Sequence, residues 1–155
     1  MSIVQELVLI SKSGVKILIE AGALTPTLKY RQLKATSREA GGIVIGEYRG
    51  NDLRILSVTK PGELDRRSRY GFSRKSPHHQ EAAHKAWLKS DSFQTHIGDW
   101  HTHPQDYPLP SSLDYSEWRT KLPQRPMFLI ILGRLANWYG IWDGKGFVDV
   151  TEYKY

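Results

Sequence analysis

The stretch Thr95-His96-Ile97-Gly98-Asp99-Trp100-His101-Thr102-His103-Pro104, followed after six residues by Ser111-Ser112-Leu113-Asp114, decides how the rest of the chain is read. Thr95 to His101 has the composition of a strand. Pro104, Pro108 and Pro110 then force a loop, and Ser111 starts a short helix in which Tyr115, Trp118 and Leu122 share one face. Two histidines two residues apart at a strand end turn both imidazoles to the same side. Two imidazole nitrogens and one carboxylate oxygen suit a catalytic zinc whose fourth position stays open, and the proline-rich loop brings Asp114 back to complete the set. Asp99 faces the same way as His101, as an outer partner or a competing ligand. Taken singly, the histidines also fit a polar surface and Asp114 a helix-capping acid. The prolines, the serine and the aspartate together favour the metal site.

Working outward, Leu7 to Ile10 and Val15 to Ile19 read as strands joined by a Lys12-Ser13-Gly14 turn. The spacing of Leu24, Leu28 and Arg31 to Leu33 predicts a helix running to about Lys34. Gly41 to Gly46 is a short β-branched run that predicts a buried strand, with Leu53 to Thr59 as its neighbour across a Gly50-Asn51-Asp52 turn. Pro61 to Lys75 reads as a basic loop. Ser76-Pro77 is the expected start of a helix to about Lys89, with His79, Ala83, Ala86 and Trp87 facing inward. Met127 to Leu132 is the most apolar strand, and Asn137 to Trp142 pairs with Phe147 to Tyr153 as a hairpin. Strands and helices alternate without regular βαβ units, so the expected class is α/β with a mixed sheet and helices packed on it.

The 155 residues fit a single domain, 1–155, and the 39% hydrophobic content is that of a globular chain. With no cysteine, a disulfide framework, a thiol nucleophile and a cysteine-ligated metal are all ruled out. Met1 to Glu6 has neither a basic region nor a long apolar run, which predicts no signal peptide and a cytoplasmic protein. Twenty-two Lys and Arg against 16 Asp and Glu give a net charge of +6, which favours an acidic partner. No stacking-aromatic motif supports nucleic acid as that partner, and no apolar run is long enough to span a bilayer.

A metal-activated water needs a base, and Glu39, just before the Gly41-Gly42 strand, is the candidate. Glu39 with Ala40-Gly41-Gly42-Ile43-Val44-Ile45-Gly46, His101-Thr102-His103-Pro104 and Ser111-Ser112-Leu113-Asp114 resembles the JAMM motif of the JAB/MPN metalloproteases, and matches it at every position. The resemblance implies a cytidine-deaminase-like fold, with a mixed curved β-sheet flanked by helices. It also implies a zinc-dependent isopeptidase acting on ubiquitin-like conjugates. Under it His101, His103 and Asp114 are zinc ligands, Glu39 is general base and then acid, and Ser111 donates to the oxyanion.

Pro61-Gly62, Gly71 to Arg74 and Gly98 to Pro104 further resemble the small stand-alone JAB enzymes of CBASS anti-phage operons. Such enzymes are implied to reverse conjugation of a cGAS-like nucleotidyltransferase, with a conjugating enzyme as operon partner. The alternatives are a deconjugating or precursor-processing protease of a bacterial ubiquitin-like operon, a non-catalytic MPN scaffold, or a basic nucleic-acid-binding protein. A substrate tail added as a strand to an edge or ordered loop would be fixed in register. Arg66, Arg67, Arg69 and Arg74 are candidate contacts for the substrate body. Trp100 and Trp118 read as core. His78, His79 and His84 lack the four-residue spacing of a helical metal pair and read as surface or packing residues.

Overall fold

The computed structural model describes residues 4–153, so the reading over Met1 to Glu6 lies partly outside the described residues. Its strands are β1 (Leu7–Ser11), β2 (Lys16–Ile19), β3 (Gly41–Arg49), β4 (Asp52–Val58), β5 (Arg66–Ser68), β6 (Gly71–Ser73), β7 (Thr95–Thr102), β8 (Met127–Leu132), β9 (Asn137–Trp142) and β10 (Phe147–Glu152). Two helices, α1 (His78–Lys89) and α2 (Ser112–Lys121), and one 3₁₀ helix (Thr25–Tyr30) complete the described elements.

The expected mixed sheet is present, and it closes on itself in the order β1-β10-β9-β8-β7-β3-β4-β2. Pairing is parallel between β2 and β4 and between β7 and β8, and antiparallel elsewhere in the ring. β8 explains how two hydrophobic layers are held. Its alternate residues Phe128, Ile130 and Leu132 enter the main core with Trp100, Val44 and Ile97. Met127, Leu129 and Ile131 face a second cluster with Trp118 of α2 and Trp142. Each such burial contributes about 1.5–3 kcal/mol. Trp100 and Trp118 are core residues, as the sequence suggests.

Several segments differ from expectation. The helix expected to run to Lys34 is only the six-residue 3₁₀ turn. Gly22 at φ +81° and Pro26 in the first turn do not seed an α-helix, and beyond Arg31 buried Gln32 holds the chain by bonding Thr102 Oγ1 and the Arg69 carbonyl. The basic loop from Pro61 to Lys75 contains a hairpin, with Arg66 opposite Ser73 and Arg67 opposite Phe72. Three-residue strands without apolar alternation leave no periodic signal. Ser76 does not cap α1. Pro77 holds that position, and the Ser76 hydroxyl accepts instead from Leu64 N at 2.8 Å. His79 is buried and Ala83 and Ala86 are half-buried, but Trp87 is 42% exposed and not an inward residue.

The hairpin is fixed at its base by Asp65. Its carboxylate accepts from the backbone N–H groups of Gly62, Lys75 and Ser76, each at 2.7 Å, and pairs with buried His79 at 2.7 Å. His79 Nδ1 faces the Thr59 hydroxyl at 2.5 Å. Burial alone would raise the Asp65 carboxyl, but the three backbone donors and His79 outweigh it and hold it well below the usual carboxylate range. A depressed pKa means its stabilisation is present above about pH 4 and is lost as pH falls through the folded value. Asp65→Ala strands three backbone donors and is expected to cost about 2–4 kcal/mol, read as a lower midpoint in urea unfolding at pH 7. The gap between variant and parent should narrow in acid.

Candidate metal centre

β7 delivers the histidines. Trp100, between Asp99 and His101, turns into the core, which leaves Asp99 and His101 on the opposite side. His103 follows the strand end, held by its backbone N–H to the Leu132 carbonyl at 3.0 Å. Glu39 arrives from the neighbouring strand, because Gly41 pairs with His101 and Ala40 exchanges hydrogen bonds with Thr102. A Cβ on Gly41 would lie 2.6 Å from the Phe72 ring and 2.7 Å from the Trp100 carbonyl, so only glycine lets the hairpin close over this corner.

Asp114 stands in the first turn of α2. A capping box fixes it: Asp114 N donates to Ser111 Oγ at 3.1 Å, and Ser111 N donates to Asp114 Oδ2 at 2.8 Å. The carboxylate reaches both imidazoles, with Oδ1 at 3.2 Å from His101 Nε2 and Oδ2 at 3.1 Å from His103 Nε2. The two Nε2 atoms are 3.1 Å apart. Glu39, His101 and His103 each offer a ligand atom within 4.8 Å of the others. Glu39, His101, His103 and Asp114 are therefore brought together, with Ser111 beside them.

The donor chemistry fits a cation. Gln105 Oε1 accepts from Leu109 N and takes the Nδ1 hydrogen of His103 at 3.1 Å. A neutral His103 then turns a lone pair, not a hydrogen, toward His101 and Asp114. Two acceptors aimed at one point need a positive species between them. A tetrahedron with zinc–nitrogen arms of about 2.0–2.1 Å has edges of about 3.3–3.4 Å, close to the observed separations.

The electrostatics agree. Burial would raise Asp114, but positive charge on the facing imidazoles, which donate to it when protonated and no cation stands between them, holds it well below the carboxylate range. For His103, burial is outweighed by Asp114, which raises its basicity. Burial pushes Glu39 up to about 7, opposed by His103 and reinforced by Asp114.

Asp99 does not crowd the centre, since its Oδ1 takes hydrogen bonds from Arg74 at 2.9 Å and His96 at 2.8 Å. Of the four arginines, Arg66 is exposed and lines the groove of ≈ 530 Å³ that runs over Glu39, His103 and Ser111. Arg67 lines it too, but its Nε donates to the Glu39 carbonyl at 2.8 Å. Arg69 bonds the Ala35 carbonyl and Tyr70, and Arg74 pairs with Asp99. Sequence reasoning missed Gln105, Thr102 and Phe72 as supports of the site. Only Gln105, two residues past His103, carries a local hint.

The family described as prokaryotic homologs of the JAB domain matches residues 27–143. A protein of Escherichia coli (strain TW11681) named CD-NTase/cGAS isopeptidase is 38% identical over 136 residues, covering 87% of each chain. Its namesake in Vibrio cholerae is 37% identical over 136 residues, again covering 87% of each. The solution structure of protein DSY2949 from Desulfitobacterium hafniense, 21% identical, covers 88% of each chain with a TM-score of 0.57, which is a likeness of fold. No helix among the described residues is long and apolar enough to cross a membrane.

Proposed function

We propose, from the premise that this chain belongs to the prokaryotic JAB-domain family, that it is a zinc-dependent isopeptidase that releases a cGAS-like nucleotidyltransferase from the proteins to which its C-terminus is joined. The observation that carries the reading is the convergence of His101, His103 and Asp114 within 3.2 Å, with Glu39 beside them. The two relatives named for such an activity support the substrate class.

His101 Nε2, His103 Nε2 and the Asp114 carboxylate would hold the metal. Zinc bound there supplies Lewis acidity toward water and the scissile carbonyl. Glu39 would take a proton from the attacking water on its carboxylate and return it to the departing lysine Nζ, a task suited to a carboxyl whose burial favours holding a proton. Ser111 Oγ spends a lone pair on Asp114 N, so its hydroxyl hydrogen is free to be donated to the oxyanion. The groove over Glu39 and Ser111 would seat the substrate tail, with Arg66 in reach of its body. A single domain over 1–155, a cytidine-deaminase-like fold, a cytoplasmic site of action in CBASS defence and a conjugating enzyme encoded alongside belong to the same reading.

The test is a purified conjugate of a cGAS-like nucleotidyltransferase joined through its C-terminal carboxyl to a lysine Nζ. The chain should release it while carrying about one zinc per chain. Dialysis against a chelator should remove at least about 99% of the activity, and zinc should restore it. Undiminished cleavage by the stripped chain defeats the proposal.

A further inference from the structure

Next to the metal centre the surface changes sign. A small pocket of ≈ 160 Å³ that contains His101 and Asp114 also presents the carboxylates of Asp99 and Glu117. It shares Arg74, His96, Lys121 and Pro123 with a larger groove along the Gln80, Ala83, His84 and Trp87 face of α1. That groove is lined by Arg74, Lys75 and Lys121 together with three histidines, and among the described residues no carboxylate lines it. Arg74 is partly neutralised by Asp99 at 2.9 Å. Lys121 pairs with Glu117 at 3.6 Å but is 69% exposed, and Lys75 is exposed with its backbone rather than its ammonium group tied to Asp65. Trp87, 42% exposed and stacked with His84, gives the groove a flat apolar wall.

We infer that this groove receives an acidic segment flanking the lysine at which the protein substrate is joined. The inference rests on the isopeptidase reading and names which lysines it favours. Carboxylates at the inner end match an amine emerging from the reaction, and cations further out match Asp and Glu a few residues away along the same chain. A polyphosphate backbone fits poorly, because the path that begins at Lys75 and Arg74 runs on to the carboxylates of Glu117 and Asp99. The recognised element is a lysine set among acids.

A fluorescein-labelled peptide with one acetylated lysine between acidic triplets tests this by anisotropy, with an Asn/Gln version as control. The zinc-loaded chain should bind the acidic peptide about tenfold more tightly than the neutral one, and the preference should vanish in about 0.5 M salt. Lys75→Glu with Lys121→Glu should erase it with a melting temperature within about 4 °C of the parent's, the small drop coming from the lost pair with Glu117, and the milder Lys75→Gln alone should weaken it about threefold. On a conjugate with acidic flanks, the double variant should raise KM about tenfold and hold kcat within about twofold. Equal peptide binding by parent and double variant overturns the inference. So does a single-stranded DNA oligonucleotide of equal charge that binds as tightly as the peptide. Anisotropy needs no turnover, so peptide binding is measurable even on a chain that cleaves nothing, and failure of the groove is distinguishable from failure of the isopeptidase reading.

Discussion

Glu39→Gln is expected to lower turnover of the conjugate at least about 10³-fold while zinc content stays near that of the parent. The amide keeps the shape of the side chain but can neither take a proton from water nor deliver one to a leaving amine. Because Glu39 is 5% exposed, the same change has a second, opposite effect. Its carboxyl is moved from an ordinary 4.5 up to about 7, chiefly by burial. A raised pKa favours the folded chain fully below the ordinary value, and that benefit is lost as pH climbs through about 7. Above that point the metal-free parent carries an ionised, buried carboxylate that the variant lacks. Stripped of metal at pH 8, the variant should therefore be more stable than the parent by roughly 1–3 kcal/mol in urea unfolding. Full activity in Glu39→Gln would remove the residue from its assigned role, and an inactive variant that is also less stable would contradict the burial argument.

Asp114→Ala is expected to have the other large effect, because one carboxylate serves two structures. Its oxygens face both imidazoles, and one of them also accepts from the backbone of Ser111 at the start of α2. Losing the cap should cost about 1 kcal/mol, which a small shift in melting temperature would register. Losing the ligand should drop zinc occupancy at micromolar metal and lower turnover by about 10³-fold or more. Ser111→Ala separates the two, since it loses the hydroxyl but keeps Asp114. Zinc retained there at a turnover about 10²-fold lower is expected, from the missing oxyanion donor. A variant at Asp114 that binds zinc and cleaves like the parent would leave the proposed ligand set wrong.

The centre was legible because its chemistry is written in short spacings. His101 and His103 are two residues apart where a strand ends, and Ser111 and Asp114 are three apart at a helix start, so local geometry orients each pair. Glu39 was within reach of the same reasoning because it precedes a glycine pair that allows close approach. Segments governed by distant partners were not legible. The β5–β6 hairpin depends on Asp65 holding Gly62 and Ser76 together, and no pattern in Arg66 to Ser73 announces that. The stretch after Tyr30 is kept from being a helix by Gln32 bonding Thr102, 70 residues away. Trp87 follows the helical period of α1, yet the groove beside it leaves the indole in contact with solvent.

Every strand of the eight-membered cycle has a neighbour on both sides, so none of them is an edge strand. A sheet with no rim offers nothing for a second copy to dock onto, which guards a chain so rich in β-structure against edgewise stacking into fibres. Among the described strands, only the little two-stranded ribbon lies outside that ring; on its β5 side the Ser68 carbonyl already accepts from Glu39 N at 2.6 Å, which leaves the β6 side as its outer flank. An extended polypeptide that paired by its backbone with one of these strands would have that outer flank to add to, a short distance from Glu39.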